Sequence, residues 1–550
     1  MSLQPQEIPA VPADTREVAE AAFPKGNRYM TMRDELGTFY HDLDFVELYG
    51  VRGKPGIAPW RLALVSLFQY VEGLSDQQAV EGVRSRIDWK YALSMELKDT
   101  GFDASVLSEF RTRLVTGSVE MRILDKMLER FNELGHLRSR GRQRTDSTHV
   151  LASVRAVNRL VMVGETMRHA LNVLADCAGE WLKPHIEPEW IERYERRFDD
   201  YRLPKEKAER QQLAAQIGAD GRTLLTHLSA SKSPAWLRKI DAVRILHRVW
   251  LEQYMAVAPD VPMQWRETKD QPPSSQRIHS PYDPDAKYAG KRTTTWLGYK
   301  AHLTENCDDD KPHLITHVIT TPATTPDFDI PERLHRELAA KELLPAEHLL
   351  DAGYVDSELL VASETEYKID VIGPVGPDHS WQALTPDGLD VSAFVIDWDA
   401  RRITCPQGEQ SQKWSQTHDR LGNPIINIRF SPSACASCPL RQQCTRSATG
   451  PRNMTVRPRL QHEALQRRRQ EQNGAEFQRR YAARAGIEGT ISHAVRTTPL
   501  RRSRYVGLAK THLQNIFSAA ALNLCRIVDW LSARTRASTR TSTFAKLALA

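Results

Sequence analysis

The chain has 550 residues, 41% of them hydrophobic and 26% charged, with a formal net charge of +6. That length allows roughly two to four structural units with an ample core, and the balance is that of a globular chain, not a disordered one. No apolar run reaches the ~18 residues of a membrane span; seven cysteines without a positive-then-apolar leader argue against a secreted disulfide framework, so a reducing cytoplasm is expected.

The first segment, residues 1–33, contains several prolines and reads as a flexible lead-in. Residues 34–137 read as a helical domain. "IAPWRLALVSLFQYVEGL" places a proline near a helix start and Gly73 near its end. Ser75 followed by Gln78 has capping-box spacing, and Asp103 is a good N-cap for the helix carrying Arg111 and Arg113. Short basic helices suit a helix-turn-helix-like DNA-binding module, with Arg111 and Arg113 as candidate base readers. A plain helical bundle fits the same pattern.

At Arg144 the texture changes, and "QRTDSTHVLASV" reads as a strand. Residues 158–285 read as helices followed by a proline-rich linker. "TTWLGYKAHLTE" and "HLITHVITTP" are strands, "IPERLHRELAAKELL" a helix and "EHLLDAGYVD" a further strand. Strand, strand, helix, strand is an α/β signature, which makes 158–285 a helical insertion within one sheet. Residues 376–455 form a β-rich segment with most of the cysteines, and from His462 the chain is helical almost to its end. Asn473 and Glu476 suggest a capped start for the helix carrying Glu488; residues 534–550 read as a flexible tail.

Charge is concentrated late. Pro451–Lys510 holds fourteen basic side chains, thirteen of them arginine, against four acidic ones. Such a cluster is the footprint of a polyanion binder, or else a solvated helix face. Asp146 and Asp351 each stand at the end of a predicted strand, where α/β proteins gather their sites. Taken singly, each could be a cap or a turn residue. Tyr481, Arg484 and Glu488 share one face at helical spacing, and Arg484 with Glu488 could be a simple salt pair.

These stretches together carry a resemblance. "RTDSTHVLASVRAVNRL", "GYKAHLTENCDDDKPHLITHVITTPATTPD", "LLDAGYVDSELL" and "RAGIEGTISHAVR" with "LRRSRYVGLAKTHLQNIFSAAALNL" resemble an insertion-sequence DDE transposase, most closely the IS-eleven-eighty-two group. The similarity runs from about His41 to Leu531. It implies an α/β fold over residues 138–533: a ribonuclease H-like mixed-sheet catalytic core with the large helical insertion and the β-rich insertion, preceded by the all-helical domain. It also implies an acidic triad of Asp146, Asp351 and Glu488 holding two Mg²⁺ (or Mn²⁺). Cleavage and strand transfer would act on double-stranded DNA, the terminal inverted repeats and the target. A homodimer pairing two ends, associated with the nucleoid, is expected.

The family's Tyr–Arg–Glu–Lys signature falls on Tyr481, Arg484 and Glu488, but Val495 stands where it has lysine, and Arg496 is the nearest substitute. Tyr481, Arg484, Arg496, Arg501, Arg502 and Arg504 are the expected contacts to DNA phosphates. Alternatives are a nuclease of the same fold without strand transfer, and a DNA-binding descendant that has lost catalysis; an intact triad argues against the latter.

Cys435 and Cys438 form a CxxC, with Cys444 beyond and Cys405 before them. Four thiolates in turn-rich sequence suit a structural Zn²⁺, although the spacing is not that of a standard zinc ribbon. Cys177 and Cys525 sit in helical patterns and read as core.

Overall fold

The computed structural model describes residues 1–255, 261 and 263–534. All but the first residue of the expected tail 534–550 therefore lies outside the described residues. The described strands, in chain order, are β1 (Arg142–Leu151), β2 (Lys287–Lys291), β3 (Thr294–Asn306), β4 (Ile315–Pro322), β5 (Glu347–Leu350), β6 (Asp370–Ile372), β7 (Val395–Asp397), β8 (Arg402–Thr404), β9 (Lys413–His418), β10 (Pro424–Arg429) and β11 (Asn453–Val456). Among the described residues, no helix is long and apolar enough to cross a membrane.

The chain divides into two compact units. One comprises Met1–Leu137, Ser147–Pro326 and the stretch from Glu488 on; the other comprises Arg138–Asp146 and Asp327–Ile487. β1 contributes its first five residues to the second unit and the remainder to the first.

In the first unit the helix Pro59–Glu72 opens on its proline and closes on Gly73, whose φ of 69° is the left-handed C-cap conformation. Ser75 and Gln78 form a reciprocal capping box at the next helix, as their spacing predicts. The expected flexible lead-in is instead partly helical. Ala13–Ala22 forms a helix, the Thr15 hydroxyl donates to the Met95 carbonyl (2.8 Å), and Ala19 is fully buried. Val11 and Ala19 join Met30 and Tyr91 in a small buried cluster, with Phe23 and Ile87 packed against it, and this burial opposes the cost of ordering the segment.

The long helix Leu508–Leu531 is buried on most of its surface and packs against β4 and Pro59–Glu72, which makes it a core helix. β2, β3 and β4 form an antiparallel ladder, and β3 also neighbours β1. Gly298 in β3 is required: its φ is 151°, and a Cβ there would lie 2.2 Å from the Val150 carbonyl oxygen. The helices Arg159–Leu182, Lys207–Ser229 and Asp241–Gln253 fill a hydrophobic cluster of their own, with Trp190, Tyr194 and Trp250 at its centre. Within it Cys177 is exposed, not core as its helical position suggested.

In the second unit, β1 pairs parallel with β5, and β5 parallel with β6. A parallel step needs a crossover, and the helix Ser357–Glu366, capped by Asp356, supplies it between β5 and β6. β7 and β8 form a hairpin, and β9, β10 and β11 form a separate antiparallel sheet. Phe394, Ile403, Ile426, Ile428, Phe430, Met454 and Val456 make the small core of this β-rich region. The helices Arg459–Glu471 and Ala475–Ala482 complete the unit.

Candidate active site

Strand register places the two aspartates. Thr145 of β1 is the cross-strand partner of Leu350 of β5, in a parallel pair. The next residues are Asp146, midway along β1 where its pairing with β5 ends, and Asp351, immediately after the carboxyl end of β5, where an α/β sheet opens its crevice. The expectation that Asp146 ends its strand is not met: β1 runs on to Leu151. Asp351 also accepts a hydrogen bond from the Ala352 backbone N–H (2.9 Å), which fixes the turn after β5. The capping reading and the site reading of Asp351 thus coexist.

A cation holds the two carboxylates. Arg484 Nη2 donates to Asp146 Oδ2 at 2.7 Å and lies 3.8 Å from Asp351 Oδ2. Arg484 and Asp146 are both mostly enclosed, whereas Asp351 is 45% exposed and open to approach. The turn carrying Arg484 is tied to β1 by the Arg144 guanidinium, which donates to the Ala483 carbonyl (2.5 Å). Gly486 makes room for that guanidinium, since a Cβ there would lie 2.0 Å from Arg144 Nη1.

The expected continuous helix through Tyr481, Arg484 and Glu488 is replaced by three pieces. They are the helix Ala475–Ala482, a tight 3₁₀ turn over Ala483–Ala485, and the helix Gly486–Thr497. The expected Asn473 cap does not form either: Gly474 is the N-cap, and the Asn473 amide donates back to the Arg469 carbonyl. Tyr481 stacks on Phe477, ring centroids 5.7 Å apart.

Beneath the aspartates runs a chain of hydrogen bonds that sequence reading missed. Thr145 Oγ1 lies 2.8 Å from His348 Nε2, His348 Nδ1 lies 2.7 Å from His335 Nε2, and His335 Nδ1 lies 3.4 Å from Ser363 Oγ. Burial holds both histidines neutral: it pushes His348 well below its ordinary value, with His335 adding to the effect, and lowers His335 to about 4. An unfolded chain takes up these protons below the ordinary pKa of 6.5, whereas the folded chain refuses that of His335 down to about 4 and holds His348 well below its ordinary value. The stability they confer is complete above pH 6.5 and is lost as pH falls from there toward 4. Urea melts should show a loss of about 2 kcal/mol from His335 at pH 5, and a His335→Gln variant should flatten that slope.

Glu488 belongs to the first unit and is exposed on the first turn of Gly486–Thr497, where the helix dipole favours a carboxylate. Ile487, Thr490, Ile491 and Ala494 bury the opposite face of that helix. Thr490 donates to Glu305 Oε2 (2.7 Å), and Arg526 bonds both groups, at 2.8 Å to Glu305 and 2.5 Å to Thr490. Glu305 is fully buried, so this trio anchors the helix two residues from Glu488.

The expected DNA contacts divide. Arg496 is exposed and bonds only within its own helix, to the Ser492 carbonyl, and Arg502 is exposed. Arg501 donates to Thr148 Oγ1 (2.9 Å). Arg504 donates to the Gly73 and Leu74 carbonyls, closing the end of Pro59–Glu72. Arg111 and Arg113, the candidate base readers, both make internal contacts. Arg111 is buried, paired with Asp76 at 2.5 Å and set over the Tyr505 ring, and Arg113 donates to Leu48 and Glu109.

Part of the late arginine cluster is also committed internally. Arg480 bridges Glu347 (3.0 Å) and Asp370 (2.5 Å) at the far ends of β5 and β6, Arg468 adds to Asp370, and Arg467 pairs with Glu364.

Cys405, Cys435, Cys438 and Cys444 line one cavity of about 220 Å³, walled by Phe394, Phe430 and Arg452. Burial raises the Cys444 thiol, the other three sulfurs raise it further, and the Arg452 guanidinium opposes them. Among the described residues, no three histidine, cysteine, aspartate or glutamate side chains are drawn together as metal ligands.

Two segments match known families. Residues 404–528 match the model of a transposase DDE domain, and residues 17–113 match that of a transposase domain, DUF772. The first match contains Glu488, while Asp146 and Asp351 precede it; the second begins inside the helix at the N-terminus. No curated protein and no solved structure matches the chain. Both matches are to transposase domains and support an insertion-sequence DDE transposase, an enzyme acting on DNA, with which the mixed α/β architecture agrees.

Proposed function

We propose that the chain is a DDE transposase of the IS-eleven-eighty-two group, with a ribonuclease H-like core, that cleaves DNA at the ends of an insertion sequence and joins them to a target. The observation that carries this reading is the approach of Asp146 and Asp351 where the parallel strands β1 and β5 stop pairing, with one cation shared between them. Glu488 is assigned as the third carboxylate from its place in the signature and in the transposase DDE match. Hard carboxylate oxygens fit Mg²⁺ or Mn²⁺, and the guanidinium already held there marks the place as one that takes positive charge. Two such ions, when bound, supply an activated oxygen nucleophile and stabilise the leaving oxygen of an in-line phosphoryl transfer.

The chain's own part is positioning. The strands carrying Asp146 and Asp351 are set by the register, and the neighbouring Thr145 is tied to His348 and through it to His335. Arg484 neutralises the two aspartates in the resting protein and would meet a phosphate when DNA is bound, as would Tyr481, whose ring stacks on Phe477. Arg496 takes the place of the absent signature lysine. A homodimer would pair the two ends, acting at the nucleoid. A strand-transfer assay in Mg²⁺ with labelled transposon-end DNA tests the whole reading. Joined products support it; nicks alone reduce the chain to a nuclease, and binding alone to a DNA-binding descendant.

The four-cysteine cavity is proposed as a structural Zn²⁺ site bracing the β-rich insertion, since thiolates suit zinc and the local hydrophobic core is small. Elemental analysis of protein purified without chelators should give about one zinc per chain, lost in a Cys438→Ser variant. A ratio near zero would remove the zinc assignment and leave the transposase reading untouched.

A further inference from the structure

The outward face of the sheet β9–β10–β11 has no role in the chemistry proposed above. Its strands alternate strictly. Trp414, Ile426, Ile428, Met454 and Val456 turn inward to the small core. The other face presents Lys413, Ser415 and Thr417 on β9, Asn427 and Arg429 on β10, and Asn453 and Thr455 on β11. No carboxylate stands among them.

The register makes this face unusual. Arg429 lies directly opposite Lys413 on one side and Asn453 on the other. Like charges in a cross-strand pair destabilise a sheet, and strands ordinarily place an acid there. Among the described residues, neither Lys413 nor Arg429 enters an ion pair with a carboxylate. The face also floors a groove of about 1010 Å³ whose walls add Arg446, Arg457 and Arg469, with Asp378 the one acidic residue lining it.

We infer that this groove is a second DNA-binding surface, one that grips the phosphodiester backbone of duplex DNA away from the site of cleavage. The inference rests on the transposase reading for its partner and on the groove's charge for its location. Hydroxyls, amides, a lysine and guanidinium groups are the donors that hold phosphates, and they carry no base code. Duplex is favoured over single strands because the sheet face offers no aromatic platform for unstacked bases. Trp414 is turned inward, and Trp381 at the rim is covered by the Arg446 guanidinium at 4.6 Å. The two opposed cations then stay together because an anion completes them. Their mutual repulsion in the free protein is relieved on binding, so part of the sheet's destabilisation is returned as affinity.

The test is fluorescence anisotropy of the full-length chain with a labelled random-sequence duplex across a salt series. It compares wild type, Lys413→Gln/Arg429→Gln, and a charge-matched control at the exposed Arg196→Gln/Arg197→Gln. Loss of two phosphate contacts lowers the slope of log K against log salt by about 1.8 and weakens binding about thirtyfold near 0.15 M salt. The groove variant should show this and the control should not, with thermal midpoints of both at or above wild type. An unchanged slope in a groove variant whose wild-type parent binds DNA overturns the inference alone. An equal loss in the control overturns it too, as does a loss confined to single-stranded competitor. If wild type binds no DNA at all, the transposase reading falls first, and the groove with it.

Discussion

Asp146→Asn should lower cleavage and joining of transposon-end DNA by at least about 10³-fold while leaving duplex affinity unchanged. The amide keeps the size of the carboxylate, and its carbonyl oxygen can still accept the Arg484 hydrogen bond now made at 2.7 Å. What it loses is the negative charge, on which binding of a divalent ion depends. The substitution therefore separates chemistry from folding: circular dichroism and thermal midpoint should match wild type. Asp351→Asn and Glu488→Gln should behave alike, because carboxylates that serve one centre fail together and their losses do not add. Turnover by Asp146→Asn in Mg²⁺ at near the wild-type rate would contradict the assignment.

The largest effect on stability is expected at Arg526. Its guanidinium meets Glu305 at 2.8 Å, where the carboxylate is fully buried, and meets Thr490 on the helix that carries Glu488. Arg526→Met removes the cation and leaves a buried charge, which costs about 3–5 kcal/mol. Chemical denaturation should read this as a fall in midpoint without a change in slope. Replacing both partners, Glu305→Gln with Arg526→Met, should recover most of the loss, because the penalty lies in the stranded carboxylate. A single variant within about 0.5 kcal/mol of wild type would show that the trio does not anchor the helix.

Local signals in the sequence were read correctly where their physics is local. The proline and Gly73 bounding Pro59–Glu72 and the Ser75–Gln78 box depend on residues within one turn of each other. Asp351 follows its strand end for the same reason, whereas β1 continues past Asp146 to Leu151. Their adjacency was not legible, because it follows from the register Thr145–Leu350, a pairing of residues far apart in the chain. The fate of the arginines was hidden in the same way. Arg480 looks like a DNA contact until Glu347 and Asp370 are brought beside it, and Arg111 looks like a base reader until Asp76 is.

The break before Glu488 shows the converse error. Helical spacing favours one continuous face through Tyr481, Arg484 and Glu488, but the turn at Ala483–Ala485 tightens where the Ala483 carbonyl accepts from Arg144 and Gly486 admits its guanidinium. The histidine chain carried no sequence signal, since His335 and His348 are ordinary members of a helix and a strand until burial joins them. Of the sheet β9–β11 the sequence shows only a β-rich segment over residues 376–455; the confrontation of Lys413 with Arg429 requires the register.

Asp146, Asp351 and Glu488 are proposed to act together as ligands of divalent ions. Crystals of the full chain grown with Mn²⁺ and duplex transposon-end DNA, measured at the manganese edge, test it directly. The expected result is manganese density with Asp146, Asp351 and Glu488 among its ligands, and Arg484 turned from the aspartates toward phosphate. Peaks that involve Asp146 and Asp351 but leave Glu488 distant, or no peak at the two aspartates, would contradict it.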